Sequence, residues 1–506
     1  MEAAKDKNKQ LLLLISVFVI ATCGLIYELI AGTLASYLLG DSITQFSTII
    51  GIYLFSMGIG SYLSKFITRN LLGWFIQIEI LVGVVGGLSS TILFLTFEHI
   101  SGFHIILYSL IVLTGTLVGL EIPLLMRILK DRLEFSDLVS KVFTFDYIGA
   151  LFASILFPLF MVPYLGLLKT SYMFGLLNVI VAIILCFKFE KESKYISLLR
   201  AEAIIVALGL LVGFVMSERI QTFAESLTYN ENIIYTKSSP YQRIVLTSEK
   251  NITKLYLNGN LQFSSADEYR YHEALVHPGL SHLSNPKNVL ILGGGDGFAV
   301  REVLKYPSVS NITLVDLDSS VTSLFKSSEF LKKLNNNSLS SNKLNIINAD
   351  AFSWLKNVNQ QQFDFIIIDF PDPSNFSVGK LYTSSFYKEV KKALQPQGAF
   401  VVQSTSPYVA PKSFWCVNNT IASVGFKTLP YHLYVPSFGE WGYVMGFYSL
   451  SKEPFFLPPG LKYYGNKEYY EMAYFPGDMK PVATEVNKLN NQILIHYFED
   501  EWGRVQ

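Results

Sequence analysis

NVLILGGGDG, residues 288–297, decides the fold of the second half of this chain. An apolar run enters three glycines, an aspartate and a fourth glycine, and a helical pattern follows from Phe298 to Tyr306. A buried strand, a tight turn and a helix N-terminus, in that order, are what a nucleotide-binding unit needs. The glycines let a ligand lie against bare backbone with no Cβ in the way. Alone, a glycine-rich turn is a weak signal. The ends of the next three strands strengthen it.

Downstream, strands alternate with helices. The strand patterns are NVLIL (288–292), ITLVDLD (312–318), LNIINAD (344–350), FDFIIID (363–369) and GAFVVQS (398–404). Helical patterns lie around 298–306, 319–333, 351–358 and 382–394. This alternation predicts a mostly parallel sheet covered on both faces by helices. Two late strands, about 427–435 and 441–450, supply an antiparallel edge. Upstream, NIIYTK, YQRIVLTS and KLYLNGNLQF predict a small β unit with Asn258-Gly259 as a hairpin turn. ADEYRYHEALVHPGL then predicts a helix.

Acids mark the strand ends. Asp296 sits in the first turn, Asp316 and Asp318 end the second strand, Asp350 the third and Asp369 the fourth. Ligands of open α/β sheets bind outside these carboxyl ends. Asp316 lies about twenty residues past the glycines, where an acid takes ribose hydroxyls. Asp350 is placed to accept from an adenine amino group. One acid at a strand end is usually a helix N-cap, but four in register point to an adenosine ligand among carboxylates. The pattern does not look like a dinucleotide site: there is no G-x-G-x-x-G, and Asp296 would repel a pyrophosphate. The carboxylate of S-adenosylmethionine would also meet Asp296. The acid suits a ligand whose tail ends in an amine.

The chain has 506 residues, enough for roughly two to four domains. Lys+Arg and Asp+Glu are both 40, so no nucleic-acid partner is implied. Mean hydropathy is +0.35, too apolar for an ordinary soluble enzyme, and the excess lies before residue 217. Cys23, Cys186 and Cys416 are too scattered for a disulfide framework or a zinc site. His272, His277 and His282 are five apart, so they spread around a helix, and no metal site is expected.

The first half reads as a membrane bundle. Stretches near 10–33, 43–64, 73–97, 103–126, 143–166, 170–187 and 201–216 each approach the ~20 apolar residues of a span. They are followed by further spans, so Leu11 onward is not a cleavable signal. The basic residues Lys5, Lys7, Lys9, Lys65, Arg69, Arg127, Lys130, Arg132, Lys188, Lys191, Lys194 and Arg200 fall in alternate loops, which places the N-terminus in the cytoplasm. The sixteen residues of 201–216 are short for a crossing, and discounting them leaves the rest of the chain inside, whereas their all-round apolar pattern suits a span that thins the bilayer and puts the rest outside. Glu28, Glu79, Glu121 and Asp146 fall in or near the spans, where acids serve either function or helix-end pairing. Gly83-x-x-x-Gly87 and Gly115-x-x-x-Gly119 are helix-packing patterns.

GGGDG with REVLKY and LVDLD resembles the spermidine synthase (polyamine aminopropyltransferase) family. LNGNLQFSSADEYRYHEALVHP resembles that family's D-G-x-x-Q…D-E…Y-H-E segment, and IIIDFPDP its D-x-x-D-P gate. The membrane half before this domain is similar to the family's multi-pass bacterial members. Asn258, Phe298 and the stretch SNFSVGKLYTSSFY depart from the family pattern. The resemblance implies an α-helical membrane bundle of about seven spans, then an α/β Rossmann-like methyltransferase-type domain carrying the small β unit. The expected divisions are 1–217, 218–287, 288–451 and a tail 452–506 that lies on the domain or the membrane.

It also implies a reaction and its residues. An aminopropyl group passes from decarboxylated S-adenosylmethionine, a co-substrate and not a bound cofactor, to an amine such as putrescine. Asp369 is the base, and Asp372 holds the amine. Gln262, Tyr271 and His272 line the amine pocket, and Asp296 takes the donor's amine. Gln242, Gly293, Gly294, Gly295, Asp316, Asp350 and Ala351 hold the nucleoside. Trp441 and Tyr443 wall the amine pocket or pack the edge strand. Expected partners are small polyamine and nucleoside substrates and the lipid bilayer, with a homodimer as a candidate assembly. The expected location is the cell membrane with the catalytic domain in the cytoplasm. Two rivals remain: a methyltransferase using S-adenosylmethionine, and a polyamine transporter or sensor that keeps the domain for binding.

Overall fold

The computed structural model describes residues 2–39, 42–97, 102–130, 134–190, 195–229, 231–451 and 453–504. The chain divides into two compact units, Met1–Asn232 and Ile233–Gln506.

The first unit is helical: α1 (Glu2–Leu39), α2 (Ser42–Leu63), α3 (Leu71–Thr96), α4 (Phe103–Leu129), α5 (Phe135–Leu156), α6 (Val162–Lys188) and α7 (Ile196–Thr228). A π-helical turn, Phe157–Met161, joins α5 to α6 at Pro158, where a backbone donor is missing. Gly166, with φ 72°, breaks the helix again. Among the described residues, six helical stretches are long and apolar enough to cross a membrane, with Phe135–Lys188 as one of them. Apolar side chains cover the outside as well as the inside: Phe55, Ile105, Leu151, Ile205 and Val215 are exposed, while Ile26, Phe75 and Leu107 are buried.

Glycines set how closely these helices approach. A Cβ on Gly83 would lie 2.8 Å from the Gly175 carbonyl of α6, and one on Gly119 would lie 2.2 Å from the Met57 carbonyl of α2. Both small-residue patterns are therefore contact faces. Basic side chains gather at helix ends. Lys9 lies over the Phe189 ring, Arg200 over Phe187, and Arg127 donates to the Ser64 carbonyl. Arg132, Lys191 and Lys194, and the side chains of Lys5 and Lys7, lie outside the described residues.

The expectation of a short segment at 201–216 is corrected. That segment is the middle of α7, which has 33 residues and runs about 50 Å at ~1.5 Å per residue. Its polar last turns after Ser217 continue the helix beyond the apolar run that marked it in the sequence.

The second unit opens with a four-stranded sheet, β1 (Asn232–Ser238), β2 (Arg243–Glu249), β3 (Ile252–Leu257) and β4 (Asn260–Ser264), in that spatial order. Asn258 and Gly259 both take positive φ, 51° and 80°, as a two-residue hairpin turn requires. Helix α8 (Glu268–Leu280) leads to β5 (Asn288–Gly293). There follow α9 (Phe298–Val303), β6 (Asn311–Asp316), α10 (Ser319–Ser327), α11 (Glu329–Leu334), β7 (Leu344–Asn348), α12 (Ala351–Leu355) and β8 (Phe363–Asp369). The chain continues through α13 (Phe376–Gly379), α14 (Ser384–Ala393), β9 (Leu394–Gln403), α15 (Pro411–Ser423), β10 (Lys427–Val435) and β11 (Gly439–Phe447). The helix expected over 319–333 is two helices, because Ser328 ends the first and caps the second by accepting from Leu331 N–H.

These strands form one sheet in the order β10-β11-β9-β8-β5-β6-β7. β5 to β9 are parallel, and β11 runs antiparallel to both β9 and β10. Alternate residues of β5 feed two cores: Val289 and Ile291 face one, Leu290 and Leu292 the other. That two-sided burial is why the strand reads as a continuous apolar run. Phe298, a departure from the family pattern, is wholly buried against Phe263 at 4.9 Å, so its ring fills core beneath β4. The tail, with α16 (Asn466–Met472) and α17 (Ile493–Trp502), lies on this unit. Glu273 accepts from the backbone N–H groups of Lys462, Tyr463 and Tyr464, and Glu501 from those of Lys412 and Ser413.

Candidate active site

The site forms at the carboxyl edge of the parallel strands. Gly293 stands in register with Asp369 on the neighbouring strand. With φ 83°, and with a hypothetical Cβ only 2.1 Å from the Asp369 carbonyl, the position admits glycine alone. The following turn carries Gly294, Gly295 and the half-buried Asp296, whose Oδ1 accepts from Phe298 N–H at 3.0 Å. Burial pushes the Asp296 carboxyl up to about 6; His272 opposes the shift and Asp369 adds to it.

Asp316 ends β6 and braces the turn. It accepts from Gly295 N–H at 3.0 Å and Asp318 N–H at 2.8 Å, and burial raises it to about 6. Asp318 caps α10 through Ser320 N–H and also accepts from Ser239 Oγ at 2.6 Å and Gln242 Nε2 at 2.9 Å. Gln242, expected near the nucleoside, is thereby held at the β6 end. Asp350 is an N-cap as well. Its Oδ1 accepts from Ser353 N–H, Ala351 begins the helix it caps, and its Oδ2 pairs with Lys380 at 2.9 Å. Burial would raise the Asp350 carboxyl; Lys380 and the Ser353 N–H overcome this and hold it below its ordinary value. So the cap role applies to Asp318 and Asp350, while Asp296, Asp316 and Asp369 do other work.

Asp369 accepts a 2.6 Å hydrogen bond from Tyr271 Oη. Burial raises its carboxyl, with the His272 charge and the Tyr271 hydroxyl opposing. His272, the next residue on α8, turns Nδ1 to the carbonyl and carboxylate of Glu268, at 2.8 and 3.0 Å. Burial would lower this imidazole, but Glu268, Asp296 and Asp369 raise it. Arg301 clamps Glu268 with both terminal guanidinium nitrogens, at 2.9 and 2.8 Å. Aromatic rings complete the wall. Tyr443 is 5.5 Å and Phe438 5.9 Å from Tyr271, and Trp441 is 5.1 Å from Phe438. Trp441 is therefore one ring removed from Tyr271. The Gln262 amide donates to the Asn260 carbonyl on its own strand at 3.2 Å.

Asp372 lies in the loop after β8. Thr405 Oγ1 donates to its Oδ2 at 3.2 Å and Gln403 Nε2 approaches its Oδ1 at 3.4 Å. Trp502 Nε1 of α17 in turn donates to Thr405 Oγ1 at 3.2 Å. Tyr382 hydrogen-bonds the Pro371 carbonyl, so the divergent stretch after Asp-Pro supports the loop, and its Lys380 holds Asp350. Sequence reading missed Gln403, Thr405, Trp502, Arg301 and Lys380. Gln403 had a signal, since it ends a parallel strand as the acids do; the others meet the site only through folding.

Burial pushes Asp372 up to about 7, with Gln403 and Thr405 opposing. Above that pH the loop carries a carboxylate; below it a proton occupies the group. The expected result is that binding of a cationic ligand at this loop weakens as pH drops through about 7. The Asp372→Asn variant, weaker at every pH, should lack that limb. The same limb in the variant would assign it to another group.

A mainly parallel sheet with acids along its carboxyl edge defines a Rossmann-like nucleotide-binding class. Comparisons narrow it. The family model for the spermine/spermidine synthase domain matches residues 268–457. A polyamine aminopropyltransferase of Leptospira interrogans is 51% identical, covering 98% of this chain and 99% of the relative. Polyamine aminopropyltransferase 2 of Ralstonia nicotianae is 49% identical, with 98% of each chain covered. A crystal structure of a spermidine synthase in complex with the transition-state analogue AdoDATO is 27% identical, with TM-score 0.45, covering 54% of this chain and 89% of that one. The chain belongs to the polyamine aminopropyltransferase family, and the match to these relatives runs through its first half as well as its second.

Proposed function

We infer that this chain transfers the aminopropyl group of decarboxylated S-adenosylmethionine to an amine such as putrescine, giving spermidine and methylthioadenosine. The observation that carries the reading is the Tyr271–Asp369 hydrogen bond, with Asp296 within electrostatic reach of Asp369 and Asp372 three residues further along the chain. The amine lone pair attacks the carbon bonded to the sulfonium. The C–S bond breaks, and the sulfur leaves as a neutral thioether. The attacking nitrogen must shed a proton, and alkyl ammonium groups have pKa values near ~10. Asp369, raised by burial, receives that proton as the bond forms. Tyr271 fixes the carboxylate, Asp372 holds the amine, and Asp296 takes the aminopropyl ammonium of the donor. The aromatic wall suits alkyl ammonium ions. Mass spectrometry of products from purified protein, given the decarboxylated donor and a panel of amines, tests the reading. Methylated products from S-adenosylmethionine would replace it.

Asp296 sets the donor choice. Asp296→Ala should weaken the decarboxylated donor more than S-adenosylmethionine, because only the first loses a partner for its amine without losing a repulsion. Calorimetry on both ligands reads this. A wild-type preference for S-adenosylmethionine would favour the methyltransferase alternative.

The membrane is the expected home of the first unit. The outward apolar residues of α7, Ile204, Ile205, Leu208, Leu211, Val212, Val215 and Met216, share one face, as a lipid-facing stripe would. On the chemistry of the donor, a cytosolic metabolite by family resemblance, we place the second unit in the cytoplasm. The length of α7 and the basic loops pull the other way: with Phe135–Lys188 crossing twice about its turn at Pro158, the six stretches make seven crossings, which end outside from a cytoplasmic N-terminus. A reporter fused to the C-terminus decides: fluorescence supports the cytoplasmic side, and active alkaline phosphatase refutes it.

A further inference from the structure

Thr405, two residues past the end of β9, holds a conformation that threonine avoids. Its φ is 55°, and among the described residues it is the one β-branched side chain with positive φ; the other non-glycine cases are Asn, Lys or Gln. A branched Cβ makes this region costly. The backbone is pinned there from β11. Ser404 N–H donates to the Gly442 carbonyl at 2.9 Å, and Gly442 N–H donates to the Thr405 carbonyl at 2.7 Å. A Cβ on Gly442 would stand 2.8 Å from that carbonyl, so the approach needs glycine. Glycine or asparagine at 405 would take this backbone at lower cost. What threonine adds is a buried hydroxyl.

That hydroxyl joins two polar groups. It donates to Asp372 Oδ2 at 3.2 Å and accepts from Trp502 Nε1 at 3.2 Å. An indole N–H can only donate, so it takes a lone pair of the hydroxyl and leaves the hydroxyl hydrogen for the carboxylate. Hydrogen bonds in such a chain polarise one another, and a donor to a carboxylate favours its charged form.

Trp502 belongs to α17, which lies past residue 457, where the match to the synthase domain stops. The helix is fixed near both ends. Glu501, next to Trp502, accepts from Lys412 N–H at 2.8 Å and Ser413 N–H at 3.0 Å at the start of α15. Ile495 is buried, and its Cδ1 lies 2.6 Å from where a Cβ on Gly379 would stand, in the stretch that follows Asp372. The indole is therefore delivered to Thr405 by an anchored element.

We propose that Trp502 and Thr405 are positioning residues for Asp372: the C-terminal helix aims the Thr405 hydroxyl, which holds the Asp372 carboxylate in place for the cationic amine substrate. The proposal rests on the reading of Asp372 as the group that holds the amine.

Calorimetry tests it, with putrescine titrated into the purified full chain saturated with methylthioadenosine, and methylthioadenosine into the chain alone. Thr405→Val keeps the branched shape and loses the hydroxyl, and should weaken putrescine about tenfold, as expected for a lost hydrogen bond to a charged group. Trp502→Phe keeps a ring and loses the donor, and should weaken putrescine several-fold. Thr405→Ser, which keeps the hydroxyl, should restore most of the affinity. Methylthioadenosine should bind all three variants as it binds wild type, which also reports that they have folded. In the Asp372→Asn background neither Thr405→Val nor Trp502→Phe should weaken putrescine further, because the charge they serve is gone. Should Thr405→Val not fold, Trp502→Phe and its cycle with Asp372→Asn decide alone. Putrescine affinity unchanged in either variant overturns the proposal. So do losses that add to that of Asp372→Asn or fall equally on methylthioadenosine, and so does a wild type that does not bind putrescine. A wild type that binds putrescine but yields no aminopropyl product would instead refute the reaction, and the same binding outcomes would still decide the proposal.

Discussion

Asp369→Asn is expected to lower the rate of aminopropyl transfer by ~10²–10⁴-fold, the usual loss when a general base is removed. The isosteric amide can still accept the 2.6 Å hydrogen bond from Tyr271, so the pocket should keep its shape. It cannot take the proton that the attacking amine must release. Affinity for methylthioadenosine should be nearly unchanged, because the family resemblance gives the nucleoside to the glycine turn and to the ends of β6 and β7, not to Asp369. Single-turnover rates and product-binding calorimetry separate the two effects. A variant within a few-fold of wild type would remove Asp369 from the mechanism. A variant that also loses the nucleoside would indicate a structural role.

Glu302→Leu is expected to destabilise the second unit by about 3–5 kcal/mol, the range for removing one partner of a buried ion pair. Glu302 is 1% exposed and accepts from His277 Nε2 and Arg301 Nε, both at 2.9 Å, with Lys305 at 2.5 Å. The leucine leaves these donors facing an apolar side chain. Arg301 is also the clamp on Glu268, which holds His272, so the damage should reach the site as lowered activity. Burial would raise the Glu302 carboxyl, but His277, Arg301 and Lys305 together hold it well below the ordinary value. A depressed folded-state pKa gives stability that is full above the unfolded value near ~4.3 and is lost as pH falls toward the folded one. Wild type should therefore lose stability on acidification across that window, and the variant should lose less. Tryptophan fluorescence during denaturation of the full chain reads this. Four of the five tryptophans, Trp354, Trp415, Trp441 and Trp502, lie in the second unit. An unchanged midpoint would show that the network contributes no net stability.

Much of the second unit was legible because its signals are local. The β5 strand, the glycine turn and the acid-ended strands follow from short-range patterning, and their register then brings Gly293 beside Asp369. The Asn258-Gly259 turn was legible for the same reason, since its two positive φ values are a property of those residues. Where polar residues continue an element, the pattern misled. The last turns of α7 carry Glu218, Arg219 and Glu225, so hydropathy saw only the apolar middle of a 33-residue helix.

By itself, the sequence determined the class of fold, the acidic carboxyl edge and the identity of its principal acids, because strand ends and glycine turns are encoded within a few residues. Tertiary structure alone decided which acids cap helices and which take other partners. Asp350 and Lys380 are thirty residues apart, and Tyr271 and Asp369 ninety-eight. Trp502 reaches Thr405 from ninety-seven residues away, and Glu79 meets Glu121 only where α3 and α4 come together. Hydrogen bonds and buried charges act over a few ångströms, and separations of that kind are set by packing, which one-dimensional patterning does not carry.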